Sequence, residues 1–188
     1  IRKCLEKYQA KDQRIKVVFR EKNGHISLAT NSALEMATGE FIALLDNDDE
    51  LPPYALFEVA SVLNQRPELD VIYSDEDKID AEGQRFDPHF KADWSPDTLM
   101  GNNYISHLGV YRTSLVKEIG GFRKGYEGSQ DYDLVLRITE KIPADHIYHI
   151  DKVLYHWRTI PGSTASNGEA KSYIYDSGVK ALTDALDR

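Results

Sequence analysis

The segment Asp46-Asn47-Asp48-Asp49-Glu50 crowds four carboxylates into five positions. Like charges this close repel one another unless something positive shares the space. A hard divalent cation such as Mg²⁺ or Mn²⁺ suits oxygen ligands and usually keeps positions open for substrate phosphates. A solvated acidic turn is the plain alternative. Two better-known acidic motifs are excluded by their spacing. A calcium-binding EF-hand loop needs Gly at its sixth position, where counting from Asp46 gives Leu51. A phosphatase-type Asp-x-Asp-x-Thr/Val motif needs Thr or Val where Glu50 stands.

Other groups could serve as partners. Asp75, Glu76, Asp77 and Asp80 follow the strand-like run Asp70 to Ser74. Asp131 and Asp133 fall in the first turn of a predicted helix, where the macrodipole favours an ionised carboxylate. Such a group, held in place, can accept a proton from an attacking hydroxyl. Capping the helix is its ordinary role, and one of the pair can cap while the other works. His156 offers a metal-competent imidazole, although a lone histidine is more often a hydrogen-bonded structural group. Arg158, ahead of Pro161-Gly162-Ser163-Thr164, can hold a diphosphate by charge-assisted bonds or form a surface ion pair worth little.

These groups need elements to position them. The apolar run Phe41 to Leu45, set between Gly39 and the acids with Pro52-Pro53 beyond, predicts a strand buried on both faces. In open α/β sheets the working residues sit just past the carboxyl ends of such strands. Helical spacing runs from Ile1 to Ala10. A strand is predicted over Ile15 to Phe19, ending near Asn23-Gly24. A helix over Ser27 to Ala37 turns Leu28, Ala33, Leu34 and Ala37 inward, with Gly39 as its cap. Another, opened by Pro53, carries Leu56, Val59, Ala60 and Leu63. The alternation predicts βαβ units and a parallel sheet. Right-handed crossovers then carry the strand ends at Leu45 and Ser74 to one edge.

The second half is less rhythmic. Ala81 to Asn103, with Gly83, Pro88, Pro96 and Gly101, reads as a long ordered loop. Tyr104 to Arg112 is a predicted strand, and Thr113 a cap for the helix Ser114 to Ile119. Asp131 to Lys141 is helical, with Leu134, Leu136 (or Val135) and Ile138 inward. Ile147 to Ile150 and Val153 to Trp157 read as two short strands. Lys171 to Leu186 reads as a closing helix.

Composition sets limits. A chain of 188 residues that is 41% hydrophobic is one ordinary globular domain, residues 1–188. The net charge, 23 − 31 = −8, argues against nucleic acid as a partner. The single Cys4 rules out an internal disulfide and suits a reducing compartment. No apolar run approaches the ~20 residues of a transmembrane helix. The expected location is the cytoplasm, any membrane association being peripheral, at the inner face of the cytoplasmic membrane.

Taken together these motifs carry a resemblance. The segments Ala37 to Asp49, Gly120-Gly121-Phe122-Arg123, Gln130-Asp131-Tyr132-Asp133-Leu134 and Leu154-Tyr155-His156-Trp157-Arg158 resemble a family-2 inverting glycosyltransferase of the A-type nucleotide-sugar fold. Tyr73 to Asp80 and Phe90 to Asp97 resemble a subgroup that builds bacterial surface polysaccharides. The resemblance implies an α/β, three-layer α/β/α fold and a divalent metal, Mg or Mn, as cofactor. It implies a nucleotide-sugar donor and a glycan acceptor as partners. It assigns Asp48 and His156 to the metal, Asp46, Gly121 and Arg158 to the donor, and Asp131 to catalysis as the base. Gln130 stands where the family usually has Glu beside that base.

The same resemblance implies that a strand, a helix and a second strand of the family precede Ile1. The expectation is an amino-terminally truncated domain that binds nucleotide poorly alone and can oligomerise through its exposed sheet edge. Two rivals remain from the residues themselves. One is a non-catalytic glycan- or nucleotide-binding module. The other is a carboxylate-pair glycoside hydrolase, which needs an acid and a base ~5–9.5 Å apart and no metal.

Overall fold

The computed structural model describes residues 1–159 and 172–188. Helices α1 (Arg2–Lys11) and α2 (His25–Met36) lead to strand β1 (Phe41–Ala43), helix α3 (Ala55–Gln65) and strand β2 (Val71–Ile79). Strand β3 (Arg85–His89), helix α4 (Pro96–Gly101), strand β4 (Gly109–Arg112) and helices α5 (Thr113–Glu118) and α6 (Gln130–Thr139) follow. Strand β5 (Ile147–Arg158) and helix α7 (Ser172–Asp187) close the chain.

Strand β4 lies between β1 and β2 and runs antiparallel to both, so β1 and β2 point the same way. Strand β5 pairs parallel with β2. The sheet is mixed rather than all-parallel, because β4 is threaded between the two strands that a βαβ unit would set side by side. The expected common edge survives this insertion. The carboxyl ends of β1, β2 and β5 lie on it, together with the start of β4.

Side chains alternate across a strand, and here the alternation divides the core in two. Val71, Tyr73 and Tyr111 pack with Leu34, Val116, Leu134 and Ala181 of the helices on one face. Ile72 and Val110 pack with Ala55 and Val59 of α3 on the other. The result is three layers, α/β/α.

Several elements depart from the sequence reading. Residues 15–19 form no strand. A strand needs a neighbour for its backbone groups, the described residues set none beside it, and Val18 is 47% exposed. Strand β1 is shorter than expected and only half-buried, since β4 is its sole described partner. Helix α2 ends at Met36 and is capped at Ala37 rather than Gly39. Leu56 and Ala60 face solvent, and α3 instead buries Ala55 and Val59, with Val62 and Leu63 packed against that core.

The predicted loop 81–103 contains β3, which pairs antiparallel with β2. It also contains α4, opened by Pro96 and capped where Thr98 N donates to Ser95 Oγ at 3.3 Å. The strand predicted from Tyr104 begins only at Gly109, and Thr113 sits inside α5 rather than capping it. The two short strands near the end are one strand, β5. Its register jumps from Ser74↔Ile150 to Asp75↔Val153, so Asp151 and Lys152 bulge into solvent. Lys171 and the segment Pro161-Gly162-Ser163-Thr164 lie outside the described residues. Among the described residues no helix is long and apolar enough to cross a membrane.

Candidate active site

Leu44 N donates to Gly109 O at 3.1 Å, after which the chain leaves the sheet into the acidic turn. Asp49 N closes that turn on Asp46 O at 3.3 Å. Strand β5 supplies the rest of the frame. The Tyr155 hydroxyl accepts from Asp46 N at 3.2 Å and donates to the Asp49 carboxylate. Asp49 Oδ1 also accepts from Arg158 N at 2.7 Å. The Arg158 guanidinium donates to Asp48 O at 2.6 Å and Asp80 O at 3.1 Å, and pairs with Glu50. Glu50 and His156 exchange backbone bonds of 3.1 and 2.8 Å. Asp49 and Glu50 are therefore structural acids. The carboxylates of Asp46 and Asp48 have no hydrogen-bond partner among the described residues.

The second acidic group lies inside β2, not beyond it. Asp75, Glu76 and Asp77 are all buried, and a buried carboxylate must be paired. Asp75 Oδ1 meets His149 Nε2 and Lys91 N, both at 2.8 Å. Asp77 takes His156 Nδ1 at 2.5 Å and Arg85 Nε at 2.6 Å. Glu76 takes His107 Nδ1 at 2.9 Å and His89 Nδ1 at 3.5 Å, with Lys91 Nζ 3.6 Å away. Burial alone would raise Glu76, but those two histidines and the lysine charge hold its carboxyl far below the usual range. Burial pushes the Lys91 ammonium down to about 8 against the pull of Glu76 and Asp75.

On the common edge, Asp46, His107, Tyr155, Phe122, Gln130 and Asp131 line one cleft. Asp131 Oδ2 accepts from Asn103 Nδ2 at 2.8 Å. Gln130 turns back, its Oε1 accepting from Gly128 N at 2.7 Å. Asn103, not residue 130, therefore orients the Asp131 carboxylate. Helix α7 steadies the loop before it. Ser129 Oγ donates to Ile174 O at 2.9 Å, Ser177 Oγ to Glu127 O at 3.1 Å, and Tyr126 bonds Asp184. Asp46 is open on its solvent side, yet desolvation on the cleft side raises its pKa. The His107 charge opposes that rise, and Asp49, Asp48 and Asp131 add to it.

The sequence model of glycosyl transferase family 2 matches residues 1–120, from α1 through the acidic turn to the end of α5. This chain belongs to that family. It is 38% identical over 186 residues to the O-antigen biosynthesis protein RfbC of Myxococcus xanthus, covering 99% of the chain and 14% of RfbC. It is 53% identical over 186 residues to the uncharacterised protein y4gI of Sinorhizobium fredii, covering 99% of the chain and 20% of y4gI. The chain thus spans a fifth or less of the length of these relatives. Staphylococcus aureus TarS 1–349 in complex with UDP-GlcNAc superposes with a TM-score of 0.70 at 20% identity, over 98% of this chain and 53% of that one. The Pyrobaculum calidifontis mannosyltransferase PcManGT, in complex with GDP-Man and Mn²⁺, gives 0.66 at 13% identity, over 99% and 51%. These two share the fold, the A-type nucleotide-sugar transferase architecture.

Within this family 2 chain the predicted site residues separate. Asp46 and Asp131 meet in the cleft. The Glu50–His156 bridge brings the strand carrying His156 alongside the acidic turn, and Asp77 binds His156 Nδ1. Arg158 uses three of its five N–H groups to shape the turn, so its first task is scaffolding. Gly121 does not line the cleft. Its backbone has φ +69°, and a Cβ there would lie 2.5 Å from the Asn31 amide oxygen, so the close approach it permits is to α2. The sequence reading missed His107 and Tyr155 as cleft residues and Asn103 as the partner that orients Asp131. Each sits in or beside an apolar stretch with no local sign of its partner.

Among the described residues no three His, Cys, Asp or Glu side chains are grouped as a metal ion held by protein alone would need. A Mg²⁺-type ion commonly takes one or two carboxylates plus substrate phosphates. The unpaired carboxylates of Asp46 and Asp48 fit an ion that arrives with its phosphates.

Proposed function

We propose that the protein carrying this chain transfers a sugar from a nucleoside-diphosphate sugar to a hydroxyl of a growing glycan, with inversion at the anomeric carbon. The setting would be bacterial surface-polysaccharide synthesis, in the cytoplasm or at the inner face of its membrane. The observation that carries this reading is the meeting of Asp46 and Asp131 in one cleft at the carboxyl edge of the sheet. The name of RfbC and the nucleotide sugars bound by TarS and PcManGT support it.

In this reading Asp131, oriented by Asn103, takes the proton of the acceptor hydroxyl as its oxygen bonds to the anomeric carbon. The bond from that carbon to the diphosphate oxygen breaks on the opposite face, and the electron pair leaves with the diphosphate. Asp46 faces the donor, and Asp48 would hold the divalent metal. His156, its Nδ1 fixed by Asp77, would offer Nε2 to the same ion, as a carboxylate–histidine pair commonly does. The bound metal would neutralise charge on the departing diphosphate. The two N–H groups left on Arg158 could reach that diphosphate.

Screening the full-length protein against a panel of nucleotide sugars, with Mn²⁺ and with chelator, tests the reading. Turnover of one donor that chelator abolishes is expected. Hydrolysis of glycan without any nucleotide donor would favour a glycosidase instead. Sugar binding that survives Asp131→Asn, with no turnover anywhere, would favour a binding module.

Asp48→Ala is expected to remove the Mn²⁺-dependent part of donor affinity while the fold persists. The acids of the turn repel, so loss of one relieves the cluster. Wild-type donor affinity in calorimetry with Mn²⁺ would refute the role given to Asp48.

A further inference from the structure

Of the described side chains lining the cleft with Asp46 and Asp131, His107 alone can carry positive charge. Its position is over-determined. Nδ1 lies 2.9 Å from the buried Glu76 Oε2, which makes Nδ1 a donor and leaves Nε2 as the other polar atom of the ring. The ring stacks on Tyr155 at 4.5 Å between centroids with planes 16° apart, and tilts against Trp157 at 5.4 Å. Behind it the fully buried Lys91 ammonium donates to Ile105 O at 2.9 Å and to His107 O. That pins the backbone that presents the imidazole.

We propose that His107 is an anion-binding residue of the cleft, an imidazolium held by Glu76 that receives the diphosphate of the donor on Nε2. The inference rests on the nucleotide-sugar reading given above. The charges around the ring favour it. Asp46 and Asp131 face the cleft and Glu76 stands behind, while Lys91, bonded to the His107 carbonyl and 3.6 Å from the same Glu76 oxygen, opposes them. Burial works against the imidazolium, but the Glu76 bond and the Asp131 charge raise its pKa above the ordinary histidine value. Without His107, the described side chains lining the cleft would offer a diphosphate the carboxylates of Asp46 and Asp131 and no positive charge. A charge-assisted N–H bond to phosphate is among the stronger hydrogen bonds, and a donor preset in place needs no reorganisation as the leaving group gains charge.

The test is calorimetric binding of inorganic pyrophosphate, with Mn²⁺, to the full-length protein and to His107→Gln, with thermal unfolding of both. The variant is expected to bind pyrophosphate about tenfold to a hundredfold more weakly, the range for a hydrogen bond to a charged group. Its melting temperature should stay close to that of the wild type. Glu76→Gln, which keeps His107 but removes the charge that sustains the imidazolium, should weaken binding in the same direction. Unchanged affinity in His107→Gln would overturn the inference and leave the wider reading intact. Wild-type protein that binds neither pyrophosphate nor any nucleotide sugar would remove that reading and the inference with it. If His107→Gln does not fold, His107→Asn takes its place. Failure of both to fold would make His107 a packing residue and overturn the inference as well.

Discussion

Asp131→Asn is expected to slow turnover by about two to four orders of magnitude, the range for loss of a general base, with donor affinity little changed. The substitution keeps the shape of the side chain and its place at the start of α6. Asn103 can turn its amide to meet the new one, so no cavity forms and no buried charge is stranded. Acceptor activation is lost because a carboxamide cannot take up the hydroxyl proton at neutral pH. Steady-state kinetics with saturating donor, alongside donor binding by calorimetry, separates the two effects. Turnover within a few-fold of wild type would place the base elsewhere. The structure narrows where to look next. Asp133 is enclosed by Arg123 and Arg137, and Asp75 by His149 and Lys91 N, so Asp46 is the remaining carboxylate of the cleft.

The acidic turn and the helix start at Asp131 are legible in the sequence because each is a local pattern, an apolar run meeting charge or an acid opening a helical period. The common edge is legible too, since β1 and β2 stay parallel even with β4 between them. Residues 75–77 are not. An apolar run passing into three acids looks like a strand ending in a loop, whereas the strand continues to Ile79. What lets it continue is a separate cation or imidazole for each acid. His149 and Lys91 N serve Asp75, His107 and His89 serve Glu76, and His156 and Arg85 serve Asp77. Most of these partners arrive from distant strands and loops, and nothing near residue 75 announces them. Strand β3 was hidden for a different reason. All five of its residues are exposed, so it has no apolar alternation to betray it, and Pro88 argued against a strand. Its hydrogen bonds to β2 at the sheet's rim are what define it.

The neighbouring acid of α6 should behave in the opposite way to Asp131. Asp133→Ala is expected to cost ~3–5 kcal/mol of stability, the range for breaking a buried ion pair by removing one partner. Asp133 is 1% exposed. Its carboxylate accepts from Arg123 Nε at 3.0 Å and from Arg137 Nε at 3.0 Å, one turn further along the helix. Arg137 also donates to Ile119 O at 2.9 Å and Gly121 O at 2.7 Å, closing the turn that follows α5. Arg123 reaches on to Asp184 of α7 at 2.9 Å. Without Asp133 the Arg137 guanidinium is left buried with backbone carbonyls as its only described partners, and the tie between α5, α6 and α7 loses its centre. The loop that presents Asp131 hangs from this same tie through Tyr126 and Asp184. Activity should therefore fall together with stability, whereas in Asp131→Asn it falls alone. Urea unfolding reads the difference directly. A wild-type midpoint for Asp133→Ala, with turnover reduced as far as in Asp131→Asn, would mean that Asp133 takes part in the chemistry and is not a structural acid.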